Sequence, residues 1–311
     1  MHMQRILITG GGGFQGSHLT EKLIKKGYKL TILNTYSPRS EENLVAIKDK
    51  INLIWGSITD KEIVEKSIRD QDVVFHLASH INVDDSITDP VTTSQVNILG
   101  ALNVLEATRK FRNRLIFIST CEVYGGDEEH RPIKETQELK PQSPYAASKA
   151  AADRLGYAYF RTYGINLTIV RPFNVFGPRQ KDQKGGALIP IFIRQALEKK
   201  PLTIYGDGGQ TRDYTYIDDL IEAYLLVLKN NQLRGKVINF GTGKETSILE
   251  IAKYISKKLR AKINYVKSRP GEVQHFIADI SKAKKLGFQP TIDIWTGIDK
   301  CIAWQKRQMN G

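Results

Sequence analysis

Tyr145 and Lys149 stand four residues apart in Tyr145-Ala146-Ala147-Ser148-Lys149, a spacing that sets both side chains on one face of a helix. A phenol alone is a poor base near neutral pH, with a reference pKa of about 10, but a neighbouring ammonium favours the phenolate. Such a pair can exchange a proton with a hydroxyl while hydride leaves the same carbon. Alone, the pattern is also compatible with a surface tyrosine and lysine on an amphipathic helix. Upstream, Ser119-Thr120-Cys121-Glu122-Val123-Tyr124-Gly125 follows the apolar run 114–118. A carboxylate there can serve as a base, and a hydroxyl or thiol can donate to a substrate oxygen. The plain alternatives are a solvated loop glutamate and a small buried cysteine.

A second group could hold an anion. Thr9-Gly10-Gly11-Gly12-Gly13-Phe14-Gln15-Gly16 has glycines at 10, 13 and 16, directly after the strand-like run RILIT and opening a helix. Glycine lets the backbone turn tightly and approach a pyrophosphate, and the helix start offers N–H groups and a positive dipole end. The end of the next strand ordinarily supplies an acid to the adenosine ribose; here Asn34 stands there, able to hydrogen-bond without charge. Arg39 lies five residues on. The expected cofactor is NAD rather than NADP.

The elements that must position these residues alternate. Strands are expected at 5–9, 29–33, 51–55, 72–78, 114–120 and 166–170, with helices between most of them. Near-continuous apolar strands separated by helices imply a parallel sheet covered on both faces, an α/β doubly wound, Rossmann-type fold. After Arg171-Pro172 come a Gly/Pro-rich stretch, a helix near 188–199, a strand at 202–205, a helix near 217–229, a strand at 236–240 and helices near 247–260 and 294–307. The expected division is a Rossmann domain over 1–171 with returns near 213–241, and a smaller α/β substrate lobe over 172–311, mainly 172–212 and 242–311.

The 311 residues carry a formal net charge of +13 with 41% hydrophobic residues. The charge suits an anionic small molecule; the lysines are scattered and no aromatic-basic cluster suggests nucleic acid. No apolar run reaches membrane-spanning length, the first residues leave no room for a signal peptide, and two cysteines make no disulfide framework. A cytoplasmic protein without membrane association is expected. Long helices near 91–110 and 145–162 would each bury a face.

Together these motifs resemble the extended short-chain dehydrogenases/reductases, the NAD-dependent epimerase/dehydratase family. The likeness runs through TGGGGFQGSHL (9–19), HLASH (76–80), VNILGALNVLEA (96–107), STCEVYG (119–125), SPYAASK (143–149), RPFNVFGPR (171–179), GDGGQTRDYTYIDD (206–219) and RPGEV (269–273). By this resemblance Thr120, Tyr145 and Lys149 carry the redox chemistry. Gly10, Gly13, Phe14, Gln15, Gly16, Asn34, Ser57, Ile58, Leu77, Ala78, Ser79, Asn97, Ser119, Pro172 and Val175 would join Tyr145 and Lys149 around NAD. His80, Thr120, Phe173, Asn174, Leu188, Ile204, Tyr205, Arg212, Arg269 and Glu272 would meet a nucleotide sugar, the arginines binding its diphosphate. The resemblance also implies that the helices near 91–110 and 145–162 pair two subunits in a homodimer. No metal is expected at the site. Asn34, and Ser57 where an aspartate commonly meets adenine, depart from the family pattern.

The triplet Thr120-Cys121-Glu122 bears on the reaction. It is similar to the site of UDP-N-acetylglucosamine 5,6-dehydratases, where hexose 4,6-dehydratases read Thr-Asp-Glu and plain 4-epimerases carry no such glutamate. The expected reaction is oxidation at carbon 4 and elimination of water across carbons 5 and 6, ahead of 4-epimerisation. Non-catalytic, cofactor-sensing relatives usually lack the intact Tyr/Lys pair kept here.

Overall fold

In the computed structural model, residues 3–127, 129–183, 185–268 and 273–310 are described. Six strands, β1 (Arg5–Thr9), β2 (Lys29–Asn34), β3 (Ile51–Trp55), β4 (Val73–His76), β5 (Arg114–Ile118) and β6 (Asn166–Pro172), form a sheet ordered β3-β2-β1-β4-β5-β6, with Val237–Phe240 added beyond β6. Every pairing from β3 to β6 is parallel. Ile6, Leu7, Ile8, Leu115, Ile116 and Phe117 are fully buried, as expected of strands covered on both faces. The order reverses between β1 and β4, and in such sheets the crevice beyond the carboxyl ends of those strands takes the ligand.

β4 stops at His76, two residues short of expectation, because the Leu77 and Ala78 N–H groups donate to the carbonyl (3.1 Å) and hydroxyl (3.2 Å) of Thr9. β5 stops at Ile118, and Cys121–Tyr124 forms a tight 3-10 turn. The helix expected near 91–110 is Pro90–Ser94, a wider π turn at Gln95–Leu99, and Gly100–Phe111. Such π turns occur frequently at functional sites.

The chain divides into two compact units: Met1–Val123, Ser143–Arg171 and Ile221–Ile238 in one, Tyr124–Gln142, Pro172–Leu220 and Asn239–Gly311 in the other. The return to the first unit thus starts at Ile221, and 124–142 clusters with the second. Main-chain bonds explain this: Ile133 N–H donates to Ile277 O (2.8 Å), and Asp279 N–H to Ile133 O (3.0 Å).

Inside the first unit, Arg171 and Asp153 form a buried ion pair at 2.7 and 2.9 Å. In the second, Leu202–Tyr205 pairs in parallel with Ile263–Val266. There Thr211–Arg212 is the middle strand between Thr246–Ser247 and His275–Phe276. The buried Asp213 carboxylate accepts from Thr242 N–H (2.7 Å), Gly243 N–H (2.9 Å) and Ala278 N–H (3.1 Å), fixing the loops on that sheet. Among the described residues no helix is long and apolar enough to cross a membrane.

Candidate active site

The glycine loop is shaped by close approach. Gly10, at φ +75°, donates its N–H to Leu33 O at 2.8 Å, and a Cβ there would stand 2.8 Å from Ala78 N. A Cβ on Gly16 would land on the Gly10 carbonyl, so only hydrogen fits at both positions. The helix Phe14–Lys25 that follows begins without a side-chain cap, which leaves its leading N–H groups for an anion. Asn34 is buried and holds this loop: its Oδ1 accepts from Gly12 N–H (2.9 Å) and its Nδ2 donates to Thr35 O (2.7 Å).

These residues line a cleft of about 420 Å³ in the first unit. Gly10, Gly13, Phe14, Gln15, Gly16, Asn34, Ser57, Ile58, Leu77, Ala78, Ser79, His80, Ser119, Tyr145 and Lys149, all expected at a cofactor or its substrate, come together there. The Ser119 hydroxyl is buried with no hydrogen-bond partner in the protein, a polar atom that a bound group would satisfy. The Cβ-excluding loop, the uncapped helix start and this hydroxyl fit a dinucleotide.

Asn97, expected among the cofactor contacts, does not line the cleft. Its Oδ1 accepts from the Ser79 hydroxyl (2.9 Å) and His80 N–H (2.7 Å), while its Nδ2 donates to His80 O (3.0 Å) and the Ser148 hydroxyl (2.9 Å). From the π turn it therefore clamps the loop after β4 to the helix bearing Tyr145. Sequence reasoning gave no cofactor role to Ser37, Arg39 and Ser40, which also line the cleft. Ser37 caps the short helix Pro38–Leu44, and Ser-Pro at a helix start was the available signal.

Tyr145 and Lys149 lie in the first two turns of the helix Pro144–Tyr163, which starts at a Ser143 cap followed by proline. Tyr145 is 9% and Lys149 4% exposed. The Tyr145 phenol is hydrogen-bonded to the Thr120 hydroxyl, which also accepts from Glu122 N–H at 3.2 Å. Burial pushes the phenol well above its ordinary range, the nearby Glu122 carboxylate pushes it further, and only the Thr120 bond opposes this. The expected lowering of Tyr145 by Lys149 is not what the structure shows. The Lys149 Nζ donates instead to Ile118 O at 2.9 Å, and its own burial draws the ammonium down to about 8, with Asp153 opposing. Burial, then the charge on Lys149, lowers His76 to about 3, so it stays neutral.

Cys121 is buried beside Glu122 in the 3-10 turn. Thr120, Cys121, Glu122, Tyr145 and Lys149 thus belong to one cluster of the first unit, at the carboxyl end of β5.

The remaining expected residues lie in the second unit. Pro172 ends β6, Phe173 is buried, the Asn174 carbonyl accepts from Thr215 N–H at 3.2 Å, and Val175 opens the short strand paired with Thr215–Tyr216. Leu188 is the first residue of the helix Leu188–Leu197. Ile204, expected at the substrate, is 0% exposed in the core, because alternation along Leu202–Tyr205 turns it inward and leaves Tyr205 outward. Arg212 donates to the carbonyls of Thr211 (2.8 Å) and Gln274 (3.3 Å) and lies over the Phe276 ring. Arg269 and Glu272 lie outside the described residues.

The family model described as GDP-mannose 4,6 dehydratase matches residues 7–301. A putative UDP-glucose 4-epimerase of Methanocaldococcus jannaschii is 37% identical, covering 97% of this chain and 98% of its own length. The structure of a Thermotoga maritima UDP-glucose 4-epimerase with UDP-glucose superposes with a TM-score of 0.93 at 32% identity, covering 98% of this chain and 100% of that one. A dTDP-glucose 4,6-dehydratase from Streptomyces venezuelae with NAD bound gives 0.92 at 29% identity, with 99% and 98% covered.

Proposed function

Since the chain belongs to the GDP-mannose 4,6 dehydratase family of extended, NAD-dependent short-chain epimerases and dehydratases, we propose that it is a nucleotide-sugar dehydratase. It oxidises carbon 4 of a nucleoside diphosphate hexose, of the UDP-N-acetylglucosamine kind, and eliminates water across carbons 5 and 6. The observation that carries this reading is Glu122, whose carboxylate stands near enough to the Tyr145 phenol to raise it, with Cys121 between Glu122 and Thr120 in the chain.

The glycine loop, Asn34, Ser57, Ser119, Tyr145 and Lys149 would hold NAD. When bound, it supplies a reversible hydride acceptor for carbon 4 and a positive charge near the phenol. As the phenolate, which positive charge in the loaded site would favour, Tyr145 Oη takes the proton of the 4-hydroxyl, and Thr120 orients that oxygen. The Lys149 ammonium, anchored at Ile118, contributes positive charge to the site. A carbonyl at carbon 4 acidifies the hydrogen on carbon 5, which the Glu122 carboxylate removes. The Cys121 thiol protonates the departing 6-hydroxyl so that it leaves as water, and the hydride taken from carbon 4 would return to the sugar, at carbon 4 or carbon 6, so that the net change is the loss of one water.

A 4-epimerase is the second reading, favoured by the 37%-identical relative and the Thermotoga neighbour. A purely cofactor-sensing role is disfavoured by the buried Tyr145–Lys149 pair. Incubation with UDP-N-acetylglucosamine or UDP-glucose and NAD decides: a product lighter by one water supports dehydration, an isomer of unchanged mass replaces it with epimerisation, and no turnover of any nucleotide sugar sinks both. A homodimer is part of the proposal. Val91, Leu99, Tyr157 and Tyr163 are exposed on the helices of the first unit that would pair, and light scattering that returns a monomer mass would remove that part.

A further inference from the structure

Three side chains far apart in sequence converge on the second unit. One ligand atom from each of His130, Glu245 and His275 lies within 4.8 Å of the others. The two imidazole rings are 3.1 Å apart between centroids and inclined by 36°. We propose that these three residues form a binding site for a divalent transition-metal ion, zinc(II) foremost.

Each ligand is presented by built structure. His275 sits in His275–Phe276 and Glu245 immediately precedes Thr246–Ser247, and both strands pair with the same middle strand, Thr211–Arg212. The Thr211 hydroxyl donates to Glu245 Oε2 at 2.5 Å and shares a 2.9 Å hydrogen bond with His275 Nδ1. One hydroxyl thus orients two ligands, as outer partners at metal sites do. His130 comes from a turn wound around Asp127, whose Oδ1 accepts from Glu129 N–H (2.9 Å) and Arg131 N–H (3.1 Å). That turn holds His130 at φ +56°, a left-handed conformation histidine visits more readily than most residues.

The donor set selects the ion. Two imidazoles and a carboxylate suit zinc, cobalt or nickel, whereas magnesium and calcium favour all-oxygen shells. Zinc–nitrogen bonds of about 2.0–2.1 Å in a tetrahedron put ligand atoms about 3.3 Å apart, so a modest contraction closes the site. Three protein ligands leave a fourth position to water. Metal binding needs neutral imidazoles. The ion would tie the 124–142 segment to the sheet that carries Arg212. The site is exposed at His130 and Glu245 and shares no residue with the redox cluster, so its failure leaves the proposed function untouched.

The test uses the full, untagged chain without substrate. Zinc(II) titrated calorimetrically, and cobalt(II) followed by its visible absorption, should each bind one ion per chain. His130→Asn, which keeps a residue tolerant of the left-handed conformation, and His275→Ala should each weaken binding at least tenfold, and the double variant should abolish it. No uptake by the wild-type chain at about 100 µM metal overturns the proposal, and so does binding that survives in the double variant.

Discussion

Lys149 Nζ donates to the carbonyl oxygen of Ile118 at 2.9 Å, anchoring the ammonium to the last residue of β5, just before the Ser119-Thr120-Cys121-Glu122 turn. Lys149 is not among the influences that shift the Tyr145 phenol, which burial dominates; its own burial lowers the ammonium instead. Its consequences differ for activity and for stability, and the two can be measured separately.

Burial lowers Lys149 to about 8, so the cation that the proposed reaction uses is lost as pH rises through about 8, not through the ordinary lysine value of about 10.4. An alkaline limb near pH 8 is expected in kcat, and Lys149→Arg, whose guanidinium remains charged, should shift it upward. Stability runs the other way. Between about 8 and the unfolded value the unfolded chain binds the extra proton, so this group makes the fold more stable as pH rises across that window. A kcat profile flat to pH 10 would contradict the assignment.

Tyr145→Phe should lower turnover by about 10²–10⁴-fold while the fold and NAD binding persist. The main-chain N–H of residue 145 donates to the Ser86 hydroxyl at 3.0 Å regardless of side chain, and phenylalanine fills the same volume. Turnover within a few-fold of wild type, alongside an unchanged NAD thermal shift, would remove Tyr145 from the chemistry.

Asp153→Asn leaves Arg171 charged, buried and without its carboxylate, which costs roughly 3–5 kcal/mol. Denaturant unfolding should show that loss. Because Asp153 also holds the Lys149 pKa up, the alkaline limb of any folded variant should move to lower pH. A stability change below about 1 kcal/mol would mean that the pair contributes little.

Apolar runs and glycine spacing made the main sheet and the phosphate loop legible, because strands covered on both faces read as near-continuous Val, Ile and Leu. The Tyr145–Lys149 pair was legible from its helical spacing. Other features were not, because long-range partners decide them. Asn97 reads as a cofactor contact until the Ser79-His80 loop and Ser148 occupy its amide. Ile204 reads as a pocket residue until alternation in a four-residue strand sends it inward. The segment 124–142 belongs with Ile277 and Asp279, about 145 residues downstream of Ile133, and no local periodicity reports such a pairing.

Glu122 separates elimination from epimerisation. A 4-epimerase needs a proton acceptor at the 4-hydroxyl and room for the ring to turn; it has no use for a base at carbon 5 or an acid at the 6-hydroxyl. Glu122→Gln keeps size and hydrogen-bonding capacity but deletes the charge, so packing damage should be small. Loss of water should fall about 10²–10⁴-fold, while oxidation at carbon 4 continues and reduced cofactor accumulates. The variant should also lower the Tyr145 phenol, since the Glu122 carboxylate now raises it; slowed proton transfer from the 4-hydroxyl therefore cannot explain the block. At buried Cys121, serine can still donate a proton but is the weaker acid, so Cys121→Ser should slow water loss moderately and Cys121→Ala more. A deuterium label placed on carbon 5 of the substrate should be lost to solvent in the wild type and retained in Glu122→Gln. Full turnover of the true substrate by Glu122→Gln, or a wild-type product that keeps the carbon 5 label, would rule out dehydration and leave epimerisation as the reaction of this site.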